Sequence, residues 1–441
     1  MSASNSSARP RAGHRWAVGL AALACALLPG PTAADQPKPA PGQPAVGKVA
    51  ADSGVVARAP GATTWRLLKT GDPVLSGDQL VALPIAHIDS ANGAVRLDML
   101  ADLSRSSPFP VLESSVTLHA GAAADLEFTL ERGRIDVVNT KPSGPAKVRV
   151  RVREQTWELV LECPGSTVAL ESYGRWPGGV PYREKPRAGE QPVTDVVVLM
   201  LKGQAELNVV TAVHALGAPP GPAFFHWQSS SGGDPGPRRL DRVPSWADPA
   251  SLSTPEAQAR KAVLDRLRER LGSQSLEQVL GGALQSDDPA ERRVAVIGYG
   301  ALDDLPHLFD ALTDPKNPDV RDNAVQVLRQ WIGRGPGQDQ KLYESLLAQR
   351  RLGKPSAATV LQLLHNFGEA DLTRTDTFEQ LIDYLGSDSP AVRELAYWHL
   401  LRLAGSNVAV PFNSTGPEAE RKQAIERWRK LLAEGKILPK K

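Results

Sequence analysis

The densest group of potential metal ligands in this chain is Asp303, Asp304, His307 and Asp310. On a helix, Asp303, His307 and Asp310 would share one face, bringing two carboxylates and an imidazole together as a cation site. The same residues also suit a plainer task, with the two Asp side chains capping a helix start and the His on its surface. The plainer reading is the expectation. The segment from Gly71-Asp72 to Gly77-Asp78 poses a similar choice. A calcium loop needs more oxygen ligands at alternating positions than Asp72 and Asp78 supply, so two turns bracketing a short strand are expected instead. Cys163, before Pro164-Gly165, has no neighbour that would activate a thiol and is expected to be buried and inert.

Two further groups could bind rather than react. Arg149, Arg151 and Arg153 alternate with Val148, Val150 and Val152, which puts three guanidiniums on one face of a strand. Nearby Glu158 and Glu162 make that face a solvated, charge-paired one rather than an anion patch. Phe224-Phe225-His226-Trp227, with Trp246 nearby, has the aromatic density of a sugar platform, but aromatic residues usually carry core burial. An apolar strand end is expected. The sequence contains no His-Glu-x-x-His, Gly-x-Ser-x-Gly, phosphate loop or dinucleotide fingerprint. No catalytic, cofactor-binding or metal residue is assigned, no cofactor is expected, partner-binding residues stay unassigned, and the protein reads as a non-enzyme.

The elements that must carry these residues divide into two halves. From about 48 to 235, short apolar runs broken by Gly, Pro, Asp and Asn give a strand pattern. Between Lys147 and Glu162 the apolar parity switches, which predicts a hairpin turning at Glu154-Gln155. That register pairs Val152 with Trp157, Val150 with Leu159 and Val148 with Leu161, and on the other face Arg151 with Glu158 and Lys147 with Glu162. A second hairpin is expected over Val196 to Val210, turning at Lys202-Gly203. From Thr254 the apolar spacing becomes three and four, the helical period. A Pro-x-x-Arg-x-x-Ala pattern recurs at Pro289-Arg292-Ala295, Pro318-Arg321-Ala324 and Pro390-Arg393-Ala396, with a degenerate copy at Pro355-Ala358-Leu361. Pro suits a first helical turn, and small Ala lets neighbouring helices approach. A last helix, about Pro417 to Glu434, would present Ile425, Trp428 and Leu431 on one face and cap the array.

Both halves resemble known families. The strands Gly54 to Arg58 and Trp65 to Leu68, the paired Gly-Asp segment, Leu80-Val81 and the later Leu130-Glu131-Arg132-Gly133-Arg134-Ile135 resemble a FecR-type extracytoplasmic domain over about 150 residues. The Pro, the Val320-Arg321 and Val392-Arg393 pairs and the following Ala resemble HEAT repeats. The FecR likeness implies a β fold outside the inner membrane. Its signalling role to sigma factors needs a cytoplasmic segment and a spanning helix, and this sequence departs from the family there.

Composition fits two or more packed domains: 441 residues, 41% hydrophobic and 23% charged. Arg9, Arg11 and Arg15, the apolar run Trp16 to Leu28 and the small residues ending at Ala34 read as a signal peptide cleaved before Asp35. That run is short of the roughly 20 residues a spanning helix needs. Lipidation at Cys25 is the alternative. Without the three leader arginines the formal charge of +2 falls to −1, so no nucleic-acid partner is expected.

The expected architecture is multidomain, all-β plus all-α. It comprises a signal peptide (1–34), a Pro-rich linker (35–47), a β-sandwich or β-rich FecR-like domain (48–235), a second linker (236–253) and an α-solenoid of HEAT-like repeats (254–441). The expected role is an exported periplasmic or envelope-associated scaffold. It would bind a protein partner through the repeats and an envelope polymer through the β domain, touching membrane only through a retained leader or lipidated Cys25. The alternative is a FecR-type sensor signalling to a sigma-factor system.

Overall fold

A computed structural model describes residues 42–83, 85–100, 112–210, 212–231, 234–248, 253–349, 352–405, 408 and 410–437. The leader, its cleavage site, Cys25 and the start of the first linker lie outside the described residues. In chain order the strands are β1 (Ala45–Val49), β2 (Val55–Arg58), β3 (Arg66–Leu68), β4 (Pro73–Leu75), β5 (Gln79–Ala82), β6 (Ala86–Ser90), β7 (Val95–Leu100), β8 (Ser115–His119), β9 (Leu126–Asn139), β10 (Ala146–Val152), β11 (Gln155–Leu161), β12 (Thr167–Arg175), β13 (Val193–Lys202), β14 (Gln204–Val209), β15 (Ala212–Gly217), β16 (Pro222–Gln228) and β17 (Arg238–Arg239).

The strands form two sheets that share β9. One runs β4-β1-β6-β7-β9-β12-β13-β16-β17. The other runs β3-β2-β5-β8-β9-β10-β11-β14-β15. All of these pairings are antiparallel except β9 with β10. The first half of β9 belongs to one sheet and the second half to the other, and Gly133 stands at the change. It has φ +86°, and a Cβ there would collide with the Glu113 carbonyl oxygen. Only Gly meets both conditions. Val148, Val150, Trp157, Leu170, Val198, Phe225 and Trp227, drawn from both sheets, share one apolar core. Trp157 meets Phe225 and Trp227 edge-on at 6.1 and 5.8 Å.

The first predicted hairpin forms, two residues out of register. Val150 opposes Trp157, Val148 opposes Leu159 and Ala146 opposes Leu161, with a turn at Arg153-Glu154. A shift of two keeps every side chain on its expected face. What changes is the charge pairing. Arg149 meets Glu158 at 3.1 Å, Arg151 meets Glu127 of β9, and Lys147 opposes Val160 rather than Glu162. The second predicted hairpin does not form. β13 and β14 meet at Gly203 but pair with different strands, so the chain crosses there from one sheet to the other. Alternating apolar residues on both sides of a Gly look the same in either case.

The Gly-Asp segment gives two turns around β4. The Asp72 carboxylate accepts from Lys69 N–H at 2.8 Å, and buried Asp78 accepts from Arg66 at 2.5 Å. Both linkers carry more structure than expected. β1 begins inside 35–47, and β17 lies inside 236–253. Trp246 and Ala247 of the second linker pack with Ala169 and Leu199.

The helices are α1 (Pro255–Leu271), α2 (Leu276–Leu284), α3 (Pro289–Ala301), α4 (Leu305–Leu312), α5 (Pro318–Gly333), α6 (Gln338–Gln349), α7 (Lys354–Leu364), α8 (Glu369–Leu372), α9 (Thr375–Tyr384), α10 (Pro390–Ala404) and α11 (Glu418–Ala433). The repeated prolines open α3, α5 and α10. Each repeated Arg does the same local job. Arg292 donates to Ser286 O at 2.8 Å, Arg321 to Asp314 O at 2.8 Å and Arg393 to Ser387 O at 2.7 Å. Each thus ties its helix to the loop before it. Arg292 also reaches Asp319 of α5 with two bonds, of 3.0 and 2.9 Å. Arg321 reaches Glu394 of α10 at 2.9 Å. The degenerate copy in α7 has Ala358 in the Arg position and is bypassed. On α11, Ile425 and Trp428 are buried as expected. Among the described residues no helix is long and apolar enough to cross a membrane.

Candidate binding site at the junction of strands and helices

Residues 41–441 form one compact unit, and its strands and helices share side chains. Leu112 and Trp176 from the β region belong to the helical core. Trp176 follows β12 directly, and its indole N–H donates to Ile332 O at 3.2 Å, satisfying a carbonyl near the end of α5. Its ring stacks on His365 at 4.4 Å. Just before it, Gly174 and Gly333 are in backbone contact.

A charged network closes the junction on one side. Glu113, 1% exposed, accepts from Arg132 at 2.6 Å and from Arg334 at 2.5 Å. Arg132 also donates to Ala301 O at 2.9 Å, and Arg334 to Gly300 O at 3.0 Å, so two guanidiniums from different halves satisfy the end of α3. Asp303, at φ +62°, accepts from Arg334 and Trp331 at 3.0 Å each and from Arg58 at 3.2 Å. Burial pushes the Asp303 carboxyl up, but Arg334, Arg132, the Trp331 N–H and Arg58 outweigh it and hold it below its usual value. Burial and Arg132 push Arg334 down to about 10, against the pull of Glu113 and Asp303. It remains a cation at neutral pH.

On the other side of the Gly174 contact lies a cleft of about 270 Å³. β12 and its exit supply Arg175 and Trp176, α5 supplies Arg329, the turn after α7 supplies Asn366, and α10 supplies Trp398 and Arg402. The Arg329 and Arg402 guanidinium carbons lie 4.8 and 3.9 Å from the Trp398 ring centre, a cation–π arrangement that holds both cations against one indole. The indole N–H is fixed by Asp322 at 3.0 Å. Arg329 donates to Asn366 Oδ1 and to His365 O at 3.3 Å, and Asn366 in turn donates to Trp176 O at 3.1 Å. Burial, then Arg402, push Arg329 down to about 10. Arg175 is paired with Asp195 at 3.2 Å. Among the described residues no carboxylate, His, Ser, Cys or Lys lines this cleft. Guanidiniums and indoles recognise anions and flat surfaces, so the lining suits recognition.

The residues singled out from sequence lie elsewhere. Asp304 caps α4, accepting from His307 N at 3.2 Å, and its other oxygen meets His307 Nδ1 at 2.7 Å. Asp303 is engaged by the arginines of the junction instead. Among the described residues no group of three His, Cys, Asp or Glu is placed to hold a metal. Phe225 and Trp227 face the core of the sheets, while Phe224 packs with Trp246 and Leu201 on the other face. Cys163 is exposed, not buried. It sits in the turn between β11 and β12, where Pro164-Gly165 directs the chain outward rather than into a core. The cleft residues Arg329, Trp398 and Arg402 went unmarked in the sequence. One usable signal was present: Trp398 and Arg402 are four apart on one helix, which makes them neighbours.

Comparisons of the chain with protein-family models, with curated proteins and with solved structures find no match.

Proposed function

We propose that this chain is an exported, non-catalytic binding protein of the bacterial envelope. A FecR-like β-sandwich and a HEAT-like α-solenoid hold a recognition cleft between them, and a protein or surface component of the envelope occupies it. The observation that carries this reading is the cleft itself. It is built jointly by a strand end and three helical segments, and among the described residues its lining brings guanidiniums and indoles together without a nucleophile or a general base. The two facing sheets support the β-sandwich. The repeated Pro-Arg-Ala helices, with the Arg of α3 reaching α5 and that of α5 reaching α10, support the solenoid.

Hydrogen exchange read by mass spectrometry tests the binding role without knowing the ligand. Incubation with a periplasmic extract should slow exchange in peptides containing Trp176, Arg329 and Trp398. Protection confined to other surfaces, or none, would overturn the assignment. Intact mass after fractionation tests export. The reading expects a chain beginning at Asp35 in the soluble envelope fraction, and a full-length or lipid-modified chain in the membrane would contradict it.

A further inference from the structure

We propose that the end of the two facing sheets, where it meets α5, is a second binding site, which takes a carboxylate with a short aliphatic body on the Arg153 guanidinium and the Ser172 hydroxyl. It lies on the opposite side of the Gly174 contact from the cleft of Arg329 and Trp398, and it does not depend on that cleft.

A cavity of about 220 Å³ lies there. β12 and β13 send Val168, Leu170, Val196 and Val198 into the core, and by strand alternation the next inward positions are Ser172 and Thr194. Both line the cavity and are buried, 3% and 6% exposed, above an apolar floor of Leu130 and Val152. A buried hydroxyl is costly unless it meets a partner. Thr194 Oγ1 accepts from Arg153 Nε at 2.6 Å. Among the described residues Ser172 Oγ makes no hydrogen bond, which leaves it to an occupant of the cavity. Arg153 stands in the β10–β11 turn and also lines the cavity. With its Nε fixed by Thr194, its two terminal nitrogens have no protein partner among the described residues. The carboxylates around it are engaged elsewhere or open to solvent. Glu127 is taken by Arg149 and Arg151, exposed Glu131 accepts from Thr117 at 2.7 Å, and Glu154 is exposed.

Arg132 and Arg334 form the charged wall of the cavity. Three guanidiniums, those of Arg58, Arg132 and Arg334, share two carboxylates, Glu113 and Asp303, which leaves one positive charge in excess before Arg153 is counted. Arg132 also disfavours the charge on Arg334. An anion in the cavity relieves both effects. The wall attracts it by charge, because its N–H groups already serve Glu113, Asp303 and the carbonyls of Gly300 and Ala301. Arg153 alone offers an open fork, and one fork matches the two oxygens of a carboxylate. The cavity has the space of roughly seven waters at ~30 Å³ each. A bare carboxylate leaves most of that empty, and a short aliphatic chain fills the remainder against Leu130 and Val152.

The test is a ligand-observed NMR titration of the full chain with butyrate, acetate and butanol. Butyrate should bind at least about tenfold more tightly than butanol, which lacks the charge, and about threefold or more tighter than acetate, which lacks the chain. Arg153→Gln should weaken butyrate by roughly tenfold or more, and Ser172→Ala by about fivefold. Arg374→Gln, at an exposed position before α9, should leave it unchanged. Should Arg153→Gln disturb its turn, Ser172→Ala still decides the matter. Displacement of butyrate by the peptide acetyl-Gly-Gly-Val, but not by its C-terminal amide, would assign the carboxylate to a chain end. Butyrate binding without that displacement would assign a free acid, and either outcome supports the proposal. No butyrate binding, equal affinity for butyrate and butanol, or indifference to both variants would overturn it. Extract protection of the Trp398 cleft is read separately, so failure of either site leaves the other standing.

Discussion

Gly174 of β12 and Gly333 at the end of α5 meet backbone to backbone, and a Cβ on either would overlap the other's carbonyl oxygen. This contact separates the charged network of Glu113, Arg132, Arg334 and Asp303 from the cleft of Arg329, Trp398 and Arg402. It also sets the distance between strand and helix, and hence the geometry on both sides.

Gly174→Ala or Gly333→Ala forces backbone against backbone, which no side-chain rotation relieves. Each should lower stability by ~3 kcal/mol, the upper range for overpacking, as read by chemical denaturation. Gly281→Ala is the control. It lies inside α2 with nothing within 4 Å of the added carbon, and should raise stability by ~0.5–1 kcal/mol through helix propensity.

Glu113 pairs with two guanidiniums that come from opposite halves of the unit. Glu113→Ala takes the buried carboxylate from Arg132 and leaves Arg334 with Asp303 alone, and should cost about 3–5 kcal/mol. Arg374→Ala breaks a pair in which both side chains are more than half exposed, and should change stability by under ~1 kcal/mol. Denaturation midpoints of the two variants should differ accordingly, and equal effects would count against the junction as a stabilising network.

His399 donates through Nε2 to Leu363 O at 2.6 Å and is 5% exposed. Burial first, then Arg329 and Arg402, bring it down from 6.5 to about 3. The unfolded chain therefore takes up a proton that the folded chain refuses, and between those two values stability falls as pH falls. One such group contributes a slope of at most about 1.4 kcal/mol per pH unit. His399→Gln keeps a donor for Leu363 O without titrating, so its stability should vary less with pH over that window. An unchanged slope would show that His399 protonates in the folded state.

Cys163 is exposed in the turn between β11 and β12. A maleimide should label it in the native protein about as fast as in the unfolded one. Protection in the native state would restore the buried position expected from sequence.

Local patterns carried much of the fold. Strand parity gave the faces of β10 and β11 correctly even though the turn fell one residue earlier than expected, because a shift of two leaves alternation intact. The repeated Pro-x-x-Arg marked the starts of three helices because both residues act within their own turn and loop. Contacts between distant segments were not legible. Asp303 reads as a helix cap in sequence, but its partners Arg58 and Arg334 come from opposite halves of the unit. Gly203 reads as a hairpin turn, and only the pairing of its flanking strands with others shows a crossing between sheets. The cleft depends on three helical segments and a strand end converging, and only the i, i+4 pair of Trp398 and Arg402 was visible beforehand.

A site built jointly by β12 and the helices requires both to persist together. Hydrogen exchange at increasing denaturant, read on peptides from β12 and from α5, α7 and α10, tests this most directly. The account predicts that these peptides lose protection at one shared midpoint, and that Glu113→Ala moves all of them together. Loss of protection in the helices at clearly lower denaturant, with β12 still protected, would contradict a jointly held cleft.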